Sequence, residues 1–589
     1  MDEHIGIFVA WPYANGDLHL GHIAGAYLPA DIFARFHRLQ GNHVLMVSGS
    51  DAHGTPVTLQ AEAQGLPPRA YFEQYHHRFL RDWMRLGISF DLFTHTDTEN
   101  HATVARDIFR TLHDHGLISP GSTTQLYCEM DRQFLPDRYV EGTCPWCGYP
   151  NARGDQCDNC GHTLDAVELL DPRCRRCGRT PVQREATHLF FDLPALQEQV
   201  LAYIEAQVHW RPNVRNFALH VVRDGLRTRA VTRDLSWGIP VPVSGYEHKV
   251  MYVWFEAVIG YCSASIECGQ LRGDPAAWEA WWRGSARGYY FIGKDNIPFH
   301  SVIWPAELLG YDPTLSLPYD IPANEFLNLE GAQFSTSRNW AVWLPDYLER
   351  YDPDPLRYYL TSIAPETGDS EFTWQGFVEH TNNEVLATWG NLVQRVVSFA
   401  YSRWDGQVPL PGDLDARDTA LLDAIARGFA AVGELYGHTK FKAALQETME
   451  LARAVNRYLD EKAPWFQIKA DLEAAATTIF VALRAIDSLS TLFAPVLPFT
   501  SEHVKRFMGY ERPLFGVSTI ERIDEKTRSH EVLQYVPLPE EGVVDRWLPS
   551  SLEPGRHLER PSALFAKLDD TLVNQERERL RQSAAPLPG

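Results

Sequence analysis

Between about residues 121 and 187 the hydrophobic periodicity of this chain collapses into Cys, Gly, Pro and Arg, and on both sides of that gap strand-like and helix-like patterns alternate. An interrupted alternation of this kind predicts a doubly wound α/β sheet with a module inserted into it. Residues 5–41 open with an apolar run, break at Asn15-Gly16 and continue with apolar residues at helical spacing, which reads as strand, loop and helix. A second run at 43–47 leads into the polar turn SGSDAHGTP, and a long helical pattern starts at Val57. Beyond the gap, apolar runs at 289–292 and 360–363 flank more βα material. From Glu379 to about Phe507 the pattern is helical without strand-like alternation, which predicts a separate bundle. After Gly509 the chain is rich in proline and charge, with one amphipathic piece at 562–573 and a frayed end, QSAAPLPG.

Composition narrows the class. The 589 residues are 44% hydrophobic and 12% aromatic, enough for several buried cores. With 54 basic and 76 acidic residues the net charge is −22, which argues against indiscriminate nucleic-acid binding but leaves room for a folded RNA on a local basic face. The first residues carry two acids and no basic n-region, so a secretory signal is not expected. The longest apolar candidate, 479–499, is broken by Arg484, Asp487 and Pro495, so no membrane span is expected either. Nine cysteines, six of them in Cys-x-x-Cys pairs, then point to a reducing cytoplasm and to metal rather than disulfides. Cys144, Cys147, Cys157 and Cys160 have the spacing of a closed four-thiolate zinc knuckle. Cys174 and Cys177 form a third pair, and Cys128 stands three residues before Asp131, the same spacing with a carboxylate in the last place. Cys262 and Cys268 have no such neighbours and read as packing residues.

The loop from Pro12 to His22 holds Gly16, Gly21, His19 and His22 where a strand hands over to a helix. Free N–H groups at a helix start, close backbone approach at glycine and imidazole donors suit phosphate, although two such histidines could equally be capping or core residues. The wider context decides between these readings. WPYANGDLHLGH, SGSDAHGTP, FIGKDNIPFHSVIWP, NLEGAQFSTSRNW and DPDPLRYYL follow in one order. Together they resemble the methionyl-tRNA synthetase family of class I aminoacyl-tRNA synthetases, over nearly the whole chain, with His19-Leu20-Gly21-His22 as its HIGH signature.

That resemblance implies a Rossmann-type catalytic fold split by a zinc-knuckle insertion and followed by an α-helical anticodon-binding region. It implies ATP-dependent activation of L-methionine, with Mg²⁺ leaving on pyrophosphate, and transfer to methionine tRNA. On the matching positions, ATP would meet His19, Gly21, His22, Gly293, Asp295 and Phe334. Methionine would meet Ala10, Trp11, Tyr13, Asp51, Trp254, Ala257, Tyr261 and His300, with Trp304 close by, and Asp51 would hold the ammonium. The anticodon would meet Asn391, Arg395 and Trp465, in a stretch between Lys440 and Lys469 that is locally +2 from six basic and four acidic residues. In family members with two zincs the outer pair of knuckles nests around the inner one, which would make a second site of Cys128, Asp131, Cys174 and Cys177. The implied segments are 1–118 and 213–320 for the two catalytic halves, 119–212 for the insertion, 321–378 for the second signature loop and stem contacts, 379–510 for the anticodon region and 511–589 for an extension.

One block departs from the family pattern. The KMSKS loop becomes Gln333-Phe334-Ser335-Thr336-Ser337 followed by Arg338, so both lysines are absent. Ser335, Ser337 and Arg338 are left for catalysis there, with the permanently charged Arg338 as the natural substitute for the lost cations. The competing reading is a catalytically weak paralogue that binds tRNA or an amino acid. A ligase for leucine, isoleucine or valine would be expected to carry a larger editing insertion. No further tRNA-binding module is expected after Phe507, and a monomer is the default.

Overall fold

The computed structural model describes residues 3–584 apart from 155, 156, 158, 161–163, 337 and 543. Its strands are β1 (His4–Val9), β2 (His43–Ser50), β3 (Leu92–His95), β4 (Ile118–Cys128), β5 (Val182–Phe191), β6 (Arg287–Gly293), β7 (Ala323–Asn324), β8 (Val517–Asp524) and β9 (Ser529–Val536), with shorter pieces between them. The main sheet runs β7-β6-β1-β2-β3-β9-β8. Its first five strands are parallel, with β1 in register from Ile5↔Arg287 to Val9↔Phe291 on one side and from His4↔His43 to Phe8↔Val47 on the other. Side chains alternate between two cores. Ile5, Ile7, Val9, Met46, Tyr289 and Phe291 face one; Phe8, Leu45, Val47, Tyr290 and Ile292 face the other. Both faces are covered by helices, which is why these strands read as continuous apolar runs.

The main helices are α1 (Leu28–Leu39), α2 (Pro68–Leu86), α3 (Glu99–Asp114), α4 (Val253–Leu271), α5 (Pro353–Ser362), α6 (Asn391–Arg403), α7 (Ala416–Gly437), α8 (Phe441–Lys462), α9 (Leu472–Phe493), α10 (Pro498–Phe507) and α11 (Thr571–Ala584). The run at 360–363 is no strand. It closes α5, whose Pro353 sits in the first turn where its missing N–H has no partner to lose. The helical region from α6 to α10 is not separate in its packing either, because one continuous core joins it to a face of the sheet. Arg357 of α5 is fully buried at that junction, donating to Asp31 Oδ2 on α1 at 2.6 Å and to the carbonyls of Pro495 and Val496 at 2.9 and 2.8 Å. Burial alone would raise the pKa of Asp31, but the guanidinium groups of Arg35 and Arg357 hold it down at about 2. Helix α9 is long and apolar enough to cross a bilayer by composition; here it is the buried centre of the bundle.

Two expectations change outside the sheet centre. The inserted stretch is framed by strands: β4 and β5 form an antiparallel ribbon from Ile118↔Phe191 to Tyr127↔Val182 that carries the cysteine module at its far end. Most of its side chains face solvent, so no apolar alternation marked it. The chain beyond Gly509 returns to the catalytic sheet as the hairpin β8–β9, paired antiparallel to β3 at Leu533↔Phe93. The last helix is α11, which begins at Thr571 instead of spanning 562–573 and includes residues 582–584, expected to be frayed; the rest of that end, 585–589, lies outside the described residues. Arg577 and Glu576 of α11 pair with Glu330 and Arg350 at 2.9 and 3.2 Å.

Candidate active site

The chain leaves β1 toward β2 on one side and later returns as β6 on the other, so a topological switch point lies between β1 and β6. Ligands of open α/β sheets bind in the crevice beyond the carboxyl ends of the strands at such a point. The loop 10–22 follows β1, and Gly293 closes β6 with Lys294 and Asp295 directly after it.

At that crevice His19 is extended and His22 lies in the first helical turn, with their rings stacked 3.7 Å apart. His22 Nδ1 accepts from the backbone N–H of His19 at 3.2 Å. Phe334 stacks on the other side of His19 at 4.7 Å, which brings the second signature loop onto the first. Gly21 is required here, because a Cβ would come within 2.9 Å of the His19 ring and 3.3 Å of Phe334. Burial and the adjacent His22 keep the pKa of His19 well below its ordinary value, and burial lowers that of His22 to about 4. Both rings are therefore neutral near pH 7 and can serve as hydrogen-bond donors without formal charge. His19 Nδ1 is buried without a hydrogen-bond partner.

The cationic side of the site is thin. Gln333 is exposed in a short strand paired with Asn328. Arg338 is exposed, and its Nε donates to Ser335 Oγ at 3.1 Å. Ser337 lies outside the described residues. Lys294, the cation beside Asp295, is held by Glu325 and Asp369, both at 2.8 Å. Asp295 is exposed and accepts from Asn296 Nδ2 at 3.2 Å; its Oδ1 lies where a Cβ on Gly293 would be only 2.8 Å away.

A second cluster lines the apolar side of the crevice. Trp254, Ala257 and Tyr261 share one face of α4, at i, i+3 and i+7. Trp254 Nε1 donates to the Tyr13 hydroxyl at 2.6 Å, and its ring meets Phe299 edge-on at 4.4 Å. His300 Nδ1 donates to the Asn296 carbonyl at 2.9 Å, so its Nε2 accepts the Tyr261 hydroxyl at 2.7 Å. Burial lowers the His300 pKa to about 4, in keeping with that neutral tautomer. Trp11 is wedged between two glycines: a Cβ on Gly49 would stand 2.2 Å from its ring, and one on Gly260 2.7 Å. The Ala10 carbonyl accepts from Tyr27 at 3.0 Å. Trp304 stands one layer back, donating to the Tyr290 hydroxyl at 3.0 Å.

Asp51 is 3% exposed and bridges to Tyr13 through the backbone. Its carboxylate accepts from the His53 N–H at 3.2 Å and, among the described residues, forms no ion pair. Burial and the Glu256 charge push its pKa well above the usual carboxylate range, against the pull of His53. A buried acid in that state gains most from a cationic ligand.

Two groups of metal-ligating side chains lie in the insertion. Cys144, Cys147, Cys157 and Cys160 have their sulfurs within 4.8 Å of one another, with pairs at 3.9 and 3.6 Å. Four sulfurs placed tetrahedrally about 2.3 Å from zinc stand about 3.8 Å apart, so the set fits. Cys128, Cys174, Cys177 and Asp131 form the second group, with Cys174 Sγ 3.1 Å from Asp131 Oδ2. None of the nine cysteines is in a disulfide.

In the bundle, α8 is capped by Ala463, a non-glycine residue at φ 42°, and Pro464 starts the short helix that carries Trp465. The Arg395 guanidinium lies 4.9 Å over the Trp465 ring, and Asn391 is exposed one turn earlier on α6. Phe466, beside Trp465, is 73% exposed.

Residues 5–397 match the profile described as tRNA synthetases class I (M), and residues 408–531 match the anticodon binding domain of methionyl tRNA ligase. The methionine–tRNA ligase of Thermomicrobium roseum is 66% identical over 98% of this chain and 99% of its own length. The chain belongs to the methionyl-tRNA synthetase family. The enzyme of that name from Chloroflexus aurantiacus is 48% identical over 99% of this chain and 100% of its own length. A crystal structure of the Mycobacterium tuberculosis methionyl-tRNA synthetase bound by methionyl-adenylate superposes with a TM-score of 0.75 at 24% identity, covering 96% of this chain and 100% of that one, and so shares the fold.

Sequence reasoning in the family frame did not single out Gly49, Gly260, His53 or Glu256. The two glycines stand in SGSD and VIGY, next to residues that were singled out, but their contact with Trp11 exists only in three dimensions.

Proposed function

We propose that the chain acts as a methionine–tRNA ligase through the residues gathered at this crevice. In the first step the methionine carboxylate attacks the α-phosphorus of ATP, the bond to the β-phosphate breaks and pyrophosphate leaves. In the second, a ribose hydroxyl at the tRNA 3′ end attacks the carbonyl of methionyl adenylate and AMP leaves. Asp51 holds the ammonium, while Trp11, Tyr13, Trp254, Ala257, Tyr261, His300 and the backbone at Ala10 enclose the thioether, which packs well on aromatic walls. His19 and His22 donate neutral hydrogen bonds to the phosphates as they take on charge, and Gly21 lets the backbone come close. Gly293 and Asp295 receive the adenosine, and Phe334 holds the second loop on His19. Ser335, Ser337 and Arg338 act on the departing pyrophosphate, which Mg²⁺ accompanies as part of the nucleotide.

The observation that carries this reading is Asp51, a buried carboxylate without an ion-pair partner among the described residues at the mouth of an aromatic pocket. The anticodon is read by Asn391, Arg395 and Trp465, at which an unstacked base finds a ring and two donors. Zinc at the two cysteine groups holds the insertion in shape and takes no part in the chemistry. Elemental analysis of chelator-free protein should find between one and two zinc atoms per chain; a value well below one would sink the zinc assignment.

The test of the function is methionine-dependent ATP–pyrophosphate exchange followed by charging of methionine tRNA. Gln333 favours the alternative, a weak paralogue, which would bind tRNA yet give no methionine-dependent exchange.

A further inference from the structure

The hairpin β8–β9 brings its turn, 525–528, to the end of the sheet at which the amino-acid pocket opens. Arg528 Nη1 donates to Asp97 Oδ1 at 2.6 Å, and Arg69 donates to the other oxygen of the same carboxylate. The oxygen that accepts from Arg528, Asp97 Oδ1, also lies 3.9 Å from His53 Nε2, and His53 Nδ1 lies 2.6 Å from Glu256 Oε1. The backbone N–H of His53 is the donor to Asp51. The turn itself is pinned: Glu525 accepts from the Glu99 N–H at 2.7 Å, and Glu99 accepts from the Thr527 N–H at 2.8 Å.

We infer that Arg528 is a positioning residue of the amino-acid pocket, acting through Asp97 and His53 to hold the Asp51 carboxylate ready for the substrate ammonium. The inference rests on the methionine reading of that pocket. His53 stands between two carboxylates that compete for it, Asp97 and Glu256. Arg528 and Arg69 neutralise Asp97, which leaves the imidazole drawn toward Glu256, and the observed distances of 3.9 and 2.6 Å follow that order. Burial alone would depress the His53 pKa, but contact with Glu256 and Asp97 raises it to about 10, so the ring is cationic and shields Asp51 from Glu256. Without Arg528, Asp97 draws His53 back. Glu256, whose other oxygen stays 2.7 Å from His101 Nε2, then faces Asp51 with less compensation, and a nearby buried like charge disfavours the ionised form of Asp51. A cluster that merely stapled the hairpin to the sheet would affect folding and leave ammonium recognition alone.

The test compares Arg528→Met, Arg528→Lys and Arg522→Ala, the last an exposed arginine of the same hairpin that donates to Ser529 Oγ at 2.6 Å. Each variant is assayed by pyrophosphate exchange, with L-methioninol, which keeps the ammonium, and 2-hydroxy-4-(methylthio)butanoate, which lacks it, as competitive inhibitors. Arg528→Met should raise the methionine KM and the methioninol Ki about 3- to 30-fold. Its kcat, its ATP KM and the Ki of the hydroxy acid should stay within about twofold of the parent. Arg528→Lys should restore most of the loss, and Arg522→Ala should match the parent. A methionine KM unchanged in Arg528→Met, or both inhibitors weakened equally, would overturn the inference. A parent enzyme without methionine-dependent exchange would instead refute the function on which it rests.

Discussion

The proposed amino-acid pocket and the QFSTSR loop face the same crevice, yet they are built on opposite terms. In the pocket nearly every side chain is fixed by another: Trp254 by Tyr13, Tyr261 by His300, and Trp11 by glycines on either side. The loop is exposed at Gln333, Thr336 and Arg338, and its Phe334 stacks on His19 of the first signature. A rigid pocket suits discrimination, because a buried carboxylate or a wedged ring has no alternative arrangement when the wrong ligand enters. An exposed loop suits a step in which phosphates arrive, change charge and leave. This contrast also explains how both KMSKS lysines can be missing here while the pocket keeps its pattern, since a solvated cation can be moved to a neighbouring position more readily than a buried acid can be replaced.

The largest effect should come from the pocket. Asp51→Asn leaves the substrate ammonium without its partner, a loss of about 3–5 kcal/mol typical of breaking a buried ion pair. It should appear as a rise in methionine KM with ATP KM nearly unchanged in pyrophosphate exchange. Equal losses for both substrates would mean that Asp51 supports the fold, and the contrast would collapse. A surface remote from both regions should affect neither. Trp465→Ala should weaken charging of methionine tRNA by about 1–3 kcal/mol, the worth of one base stack, while exchange without tRNA stays at the parent rate. If exchange fell as far as charging, the tryptophan would be a packing residue of the bundle, held by Phe399 and Arg395. The smallest effect belongs to Gln333→Lys. A returned lysine should raise the activation rate, by less than 1 kcal/mol or about fivefold, because solvent and salt screen a charge on an exposed loop. No increase would show that Gln333 lies outside the reach of the phosphates.

Much of the candidate site was legible because the residues proposed for it are local in sequence. His19, Gly21 and His22 share one turn, Trp254, Ala257 and Tyr261 share one helix face, and the paired ligand candidates of each knuckle stand three apart. The rest depends on contacts between distant segments. His53 and Glu256 are 203 residues apart, and no periodicity links them. The hairpin β8–β9 went unrecognised because its outer strand is an exposed edge with charged side chains, so the apolar alternation that announces a half-buried strand is faint. Helix α11 was placed too early, since the apolar residues around 564–568 pack on the core as irregular chain.

The central claim is that the rigid pocket binds methionine while Arg338 supplies the charge that the loop has lost. Its most direct test is Arg338→Ala in methionine-dependent pyrophosphate exchange, with kcat and both KM values measured separately. Removing a donor that acts mainly in the transition state costs about 2.7–4 kcal/mol, or 10²–10³-fold in rate. The account predicts a fall of about that size in kcat with methionine KM nearly unchanged, the opposite split to Asp51→Asn. A kcat within about twofold of the parent, or a loss confined to methionine KM, would contradict it and leave the neutral pair His19 and His22, with the metal that accompanies the nucleotide, to hold the phosphates alone.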